Sequence, residues 1–139
     1  MPHIIVEYSA NIEDEIGIDA LFETLTEVAV GTGVFELSGI RVRGERRDRY
    51  RISDNDPSNG FAHTILRVGS GRTEETLKKA GETIYTAICA HLQKMYETRA
   101  LNISMEIQEI HPVLTFKKNN IGAHMKARAA AQSAAEAAE

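Results

Sequence analysis

Hydrophobic residues in the first third of the chain follow two different periodicities. The short apolar run His3–Tyr8 has the composition of a buried β-strand. Within residues 19–32, apolar side chains recur three and four positions apart, which predicts a helix with Asp19 as its N-cap. A second strand is predicted from Gly39 to Gly44. A strand, a helix and a strand of these lengths form a β-α-β unit whose two strands are parallel.

The same order of elements returns about sixty residues later. Strands are predicted over residues 62–68 and 101–109, with a longer helix over residues 73–96 between them. The repeat is visible in the letters, because Pro2–Val6 lies sixty positions before Ala62–Leu66 and His occupies the second place in both. Right-handed crossovers place both helices on one side of a four-stranded sheet. We therefore predict an α/β (α+β) fold made of two tandem β-α-β units.

The repeat also predicts the organisation of the chain and its assembly. Residues 1–126 are expected to form a single domain, with repeats at about 1–52 and 61–110, followed by an Ala-rich tail over residues 127–139 with no chemistry of its own. Helices on one side leave the other face of the sheet open. Another subunit is the economical cover for that face, so we predict a homo-oligomer with cyclic symmetry.

Composition narrows the class of protein. The net charge of -4 and the sequence pI near 5.7 argue against a protein that coats nucleic acid. No apolar run approaches the ~18–20 residues that cross a bilayer, and the N-terminus has no signal-peptide pattern. Cys89 is the only cysteine, which excludes an internal disulfide and predicts a reducing, cytoplasmic location.

Pro2 is the first candidate for chemistry. Removal of Met1, which a small second residue permits, would make Pro2 the amino terminus, with a secondary amine on a rigid ring. Burial at the start of a strand would lower the pKa of that amine below the usual ~7.7–8.0, and a base works best near the operating pH. The alternative is structural, since Pro at the first residue of a strand avoids wasting a backbone donor.

Arginine is the second theme of the sequence. In an extended chain the odd-numbered arginines between Gly39 and Ile52 share one face, where guanidinium groups bind carboxylates or form exposed ion pairs; they are Arg41, Arg43, Arg47, Arg49 and Arg51. Arg41 is the main candidate because it is expected well inside the strand. Arg72 follows Gly69 and Gly71 at a predicted helix N-terminus, a position that favours a small anion.

The residues offer no support for a cofactor or a metal. The third glycine of a dinucleotide fingerprint and the Walker lysine pattern are both absent. The five histidines lack the spacing of zinc ligands, and no serine or cysteine has a recognisable nucleophile setting. The sequence therefore predicts proton transfer without metal, cofactor or covalent intermediate.

Several separated motifs, in order, resemble the tautomerase superfamily of 4-oxalocrotonate tautomerase-like enzymes, and most closely the 5-carboxymethyl-2-hydroxymuconate isomerase family. The resemblance covers residues 1–126, and the segments that carry it are Pro2–Ser9, Thr32–Phe35, Ser38–Arg41, Val68–Arg72 and Glu106–Asn120. It implies a cofactor-independent isomerase of homoprotocatechuate catabolism and a homotrimer. It also implies a polycarboxylate substrate, with Pro2 as the base and with Arg41 and Arg72 binding its carboxylates and stabilising charge. Phe116 is a candidate apolar wall beside Pro2, or a core residue.

Two alternatives remain open at this point. The chain could be a related enzyme that uses the same proline on a different enol or unsaturated acid. It could also be a non-catalytic, anion-binding oligomer in which Pro2 only begins the strand. A substrate panel separates the first from the isomerase, and a retained Met1 favours the second.

Overall fold

The computed structural model describes residues 2–138, so the expected removal of Met1 lies outside the described residues. The strands are β1 (His3–Ser9), β2 (Arg41–Arg47), β3 (Gly60–Gly69) and β4 (Leu101–Ile110). The helices are α1 (Glu13–Ile16), α2 (Ile18–Gly31), α3 (Glu74–Thr98) and α4 (Ile121–Ala138). Each predicted strand and helix is present, and most observed ends differ from the predicted ones by one to three residues.

The four strands form one mixed sheet in the order β2-β1-β3-β4. β1 and β2 are parallel, β3 and β4 are parallel, and the two central strands are antiparallel, with Ile5 opposite Ile65. The sheet is thus two β-α-β units joined along their first strands. This arrangement confirms the tandem repeat and the α+β fold class predicted from the sequence.

The core lies between one face of the sheet and helices α2 and α3. Alternate residues of β3, from Gly60 to Val68, are buried, as the period of two in a strand requires. Leu21, Leu25 and Ala29 of α2 lie at helical spacing and are fully buried. The corresponding stripe of α3 packs into the same core, with Ile84 and Ile88 nearly inaccessible. Both helices therefore cover one face, as predicted.

The N-terminal ends of α2 and α3 differ in detail from the sequence prediction. Asp19 is not the N-cap of α2, so that assignment is wrong. The helix begins one residue earlier, at Ile18, because Gly17 takes a left-handed conformation with φ of 58° that separates α1 from α2. At α3, Thr73 is the N-cap, and its hydroxyl accepts a hydrogen bond from the Thr76 N–H at 3.1 Å.

The other face of the sheet carries the arginine row. Arg41, Arg43 and Arg47 share that face, as predicted, but β2 ends at Arg47, so Arg49 and Arg51 lie beyond the strand. Arg47 forms ion pairs with Glu7, at 2.8 Å, and with Glu45. For Arg47 the ion-pair interpretation of the row is therefore the right one.

The chain after β4 packs loosely on the rest of the subunit. Helix α4 has no buried residue, and its contacts are mainly with the short turn Leu37–Gly39. Val113, Leu114 and Phe116 in the preceding segment expose 73%, 72% and 93% of their surfaces. Among residues 2–138, no helix combines the length and the hydrophobicity needed to span a membrane.

Candidate active site

A cavity of about 330 Å³ lies where β1 begins, and Pro2 is in its wall. Its size falls within the ~300–1,000 Å³ typical of small-molecule sites. The turn after α2, the loop before α3 and the segment after β4 supply the other walls. The lining residues are Pro2, Val34, Glu36, Ser38, Gly39, Arg72, Lys117 and Asn119.

Pro2 is buried and directly precedes β1. Its carbonyl accepts a hydrogen bond at 3.1 Å from the backbone N–H of Arg41, the first residue of β2. The sheet thus continues the pairing of β1 and β2 by one hydrogen bond, and this bond fixes Pro2 against the cavity. Ala62, its counterpart in the repeat, lies inside β3 rather than at a strand start. Only the first unit therefore presents a proline to a cavity.

Arg72 is held in the same cavity by the connection between β3 and α3. Gly71 has a φ of 109°, a conformation that side chains rarely adopt, and this turns the chain between the strand and the helix. The Arg72 guanidinium donates to the carbonyl of Gly69 at 3.3 Å and to that of Val34 at 3.2 Å. It also lies over the ring of Phe35, 5.1 Å from its centre. These contacts orient the planar fork and leave further N–H donors for a ligand.

Arg41 lies near the cavity but does not line it within one chain. Its guanidinium donates to the Gly39 carbonyl at 2.8 Å, and Gly39 is itself a lining residue. The expectation that Arg41 sits well inside its strand is wrong, because β2 begins at Arg41. In this chain the structure thus brings together Pro2 and Arg72, whereas Arg41 lies two positions beyond the lining residue Gly39.

Four polar lining residues were not predicted from the sequence. Ser38 and Glu36 lie in the turn after α2, and Lys117 and Asn119 lie in the segment after β4. That segment has no regular periodicity, so its position could not be inferred from a pattern. Lys117 and Asn119 do lie within Glu106–Asn120, one of the segments on which the family resemblance rests. That resemblance was the available signal for their role. Phe116 is neither a wall of this cavity nor a core residue of this chain, because it is 93% exposed.

The cations around the start of β1 also act on His3. Burial, and then the charges of Arg43, Arg41 and Arg67, lower the pKa of His3 below its usual 6.5. Its Nδ1 lies 3.1 Å from a guanidinium nitrogen of Arg43, so this ring nitrogen serves as an acceptor. The lowered pKa favours a neutral His3 at the surface of the sheet at pH 7.

A second cavity, of about 440 Å³, lies between α3 and β4. Its walls include Tyr85, Ile103, Met105 and Ile107, and it contains neither Pro2 nor an arginine. Although it is the larger of the two, its charged walls are Lys78, Glu82 and Glu106, so its lining carries a net negative charge that disfavours an acidic substrate. We therefore take the cavity at Pro2 as the candidate active site.

Residues 2–125 match the family model described as 5-carboxymethyl-2-hydroxymuconate isomerase. The chain belongs to that family. It is 39% identical over 126 residues to the 5-carboxymethyl-2-hydroxymuconate Delta-isomerase of Escherichia coli, an alignment that covers 91% of this chain and all of that protein. The resemblance seen in the sequence is confirmed, and with it the expectation that the chain is an isomerase.

Solved structures agree with this membership. The fold matches a 5-carboxymethyl-2-hydroxymuconate isomerase from Deinococcus radiodurans R1 with a TM-score of 0.83 and 35% identity, over 89% of this chain and 93% of that one. A fused 4-OT, described as a symmetric trimer, matches with a TM-score of 0.61 and 15% identity, over 84% and 93% of the two chains. The second likeness shows the fold alone, and it confirms the tautomerase-like architecture.

Proposed function

We propose that this isomerase converts 5-carboxymethyl-2-hydroxymuconate to its conjugated ketone in the homoprotocatechuate branch of aromatic catabolism. The observation that carries the proposal is the cavity shared by Pro2 and Arg72, in a chain whose family is defined by that reaction. The substrate is a dienol with three carboxylates, so it needs both a base and cationic groups. The cavity offers both within a single small volume.

In the proposed reaction, the Pro2 amine removes the proton from the 2-hydroxyl group. The electron pair of that O–H bond forms the carbonyl, the double bonds shift along the diene, and the proton is returned from Pro2 to C5. Negative charge develops on oxygen in the dienolate, where a preorganised guanidinium stabilises it. Arg72 and Arg41 are assigned to carboxylate binding and charge stabilisation, Arg72 inside the cavity and Arg41 at its edge. Burial of Pro2 and the charge of Arg72 favour the neutral amine.

The test is the loss of the ultraviolet absorbance of 5-carboxymethyl-2-hydroxymuconate when the purified protein is added. We expect conversion far above the spontaneous rate, with the mature N-terminus confirmed by mass spectrometry. A panel with a phenylpyruvate enol and a halogenated acrylate runs beside it. Faster turnover of either of those compounds, or no conversion by protein that has a free Pro2, would reject this substrate assignment.

We also propose that the active form is a homotrimer. The support is the open face of the sheet together with the exposed apolar side chains after β4. Contact between subunits would remove these apolar surfaces from water. The fused 4-OT of the same fold is a symmetric trimer.

Residues 1–126 would form the catalytic domain, with 127–139 outside it. Cys89, a free and half-buried thiol, suits a reducing cytoplasm.

The trimer predicts a native mass three times the chain mass of 15.4 kDa. Native mass spectrometry and light scattering check this value over a range of concentrations. Phe116→Ser should shift the equilibrium toward smaller species on dilution, because Phe116 is the most exposed large apolar side chain among residues 2–138. Lys118→Ser, two positions along, is the matched control. A wild-type protein that remains at 15.4 kDa at all concentrations contradicts the proposal.

A further inference from the structure

The charged residues that line the Pro2–Arg72 cavity are Arg72, Lys117 and Glu36. Arg72 and Glu36 alone would leave the lining with no net charge. Lys117 therefore determines that the cavity is positive overall. A positive cavity with low-dielectric walls concentrates anionic ligands, so this one lysine has a large influence on which substrates enter.

Lys117 is free to bind a ligand. Within residues 2–138 its ammonium group forms no hydrogen bond and no ion pair, whereas the Arg72 guanidinium is already held by two carbonyls. An ammonium on a flexible stem has three donors and binds an anion as a point charge. The two cations thus differ in kind, one fixed inside the cavity and one adjustable at its exposed side.

The backbone around Lys117 is nevertheless held in place. The Asn119 side-chain amide donates to the Ser38 carbonyl at 3.3 Å, and its oxygen accepts from the N–H of Ile121 at 2.9 Å, at the start of α4. Gly122 lies against Ser38, where an added Cβ would meet the Ser38 side chain at 3.4 Å. These contacts fasten the segment to the turn after α2, so Lys117 lines the cavity although its side chain is exposed to solvent.

We infer that Lys117 is a second carboxylate anchor in the cavity that Arg72 also lines, which makes the cavity selective for a diene with a carboxylate at each end. The inference rests on the proposed function for the orientation of the substrate, although it concerns binding alone. Arg72 holds one end of the diene by its planar fork, and Lys117 holds the other. Pro2 then faces the carbon chain between them. Asn119 is a positioning residue that acts through Lys117.

The experiment compares the binding of two ligands that differ in one group. trans,trans-Muconate carries a carboxylate at each end of a six-carbon diene, whereas sorbate is the same diene with one carboxylate replaced by a methyl group. Affinities are measured by calorimetry on the full-length protein with a free Pro2. The wild type should bind muconate about 10- to 100-fold more tightly than sorbate, because an anchored carboxylate adds a charge-assisted hydrogen bond.

Lys117→Met should remove that preference by weakening muconate binding while sorbate binding stays the same. Lys118→Met, the adjacent lysine outside the cavity, is the control and should leave both affinities unchanged. Asn119→Ala should weaken muconate binding in part. A ratio in Lys117→Met equal to that of the wild type overturns the inference, as does a wild type that shows no preference. Neither result depends on turnover, so the inference and the proposed reaction can fail separately.

Discussion

Protein that retains Met1 should lose nearly all isomerase activity, with kcat lowered by about 100- to 10,000-fold, the usual contribution of a positioned acid or base. With Met1 attached, the nitrogen of Pro2 is an amide and has no basic lone pair. The comparison uses one preparation before and after treatment with a methionine aminopeptidase. Mass spectrometry follows the N-terminus and the ultraviolet assay follows turnover.

The treatment is its own control, because it changes the Pro2 nitrogen and leaves the rest of the chain intact. Activity that rises in proportion to the fraction of free Pro2 supports the base assignment. Protein with Met1 retained that turns over at the full rate shows that another group removes the proton.

In the protein with a free Pro2, kcat/KM should rise with pH as the Pro2 amine loses its proton and then level off. We expect that rise below the ~7.7–8.0 of an ordinary amino terminus, because Pro2 is buried and Arg72 lines the same cavity.

The sheet and the helices α2 and α3 could be predicted because their signals are local. Apolar residues at period two or at helical spacing mark the side that each element buries, and the sixty-residue repeat specifies the pairing of the two units. Element ends were less accurate. Asp19 looked like an N-cap, but the backbone freedom of Gly17 moves the helix start. The backbone conformation of a glycine is set by the elements on both sides of it. The periodicity of apolar residues therefore does not predict it.

The candidate site could be predicted only in part, for a related reason. Pro2 and Arg72 each sit at an end of a predicted element, so their positions follow from the topology of the sheet. Lys117 and Asn119 come from a segment without periodicity. A hydrogen bond from Asn119 to Ser38, 81 positions earlier in the chain, places them at the cavity. Such a long-range contact between two irregular segments leaves no pattern in a single sequence.

Arg72→Lys is expected to lower kcat/KM by about 100- to 1,000-fold, which corresponds to the ~2.7–4 kcal/mol lost with one oxyanion donor. Lysine keeps the charge, but it cannot donate to the Gly69 and Val34 carbonyls and to a substrate oxygen from one rigid plane. Arg46→Lys, which keeps its exposed partner Asp48, is the matched control and should be neutral. Thermal unfolding of both variants shows whether the fold is intact.

Arg41→Lys tests the other half of the assignment. Its guanidinium is held at the Gly39 carbonyl, beside the cavity of its own chain. If Arg41→Lys and Arg72→Lys both keep full turnover, the arginines do not bind the substrate and the assignment is wrong.

If Arg41→Lys also impairs turnover, a second experiment asks which subunit's cavity the Arg41 side chain serves. Subunits that retain Met1 and Arg41→Lys subunits, each of low activity alone, can then be mixed. Activity in the mixture requires that Arg41 of one subunit completes a cavity whose Pro2 belongs to another, whereas a mixture as inactive as its parts places Arg41 at the cavity of its own chain.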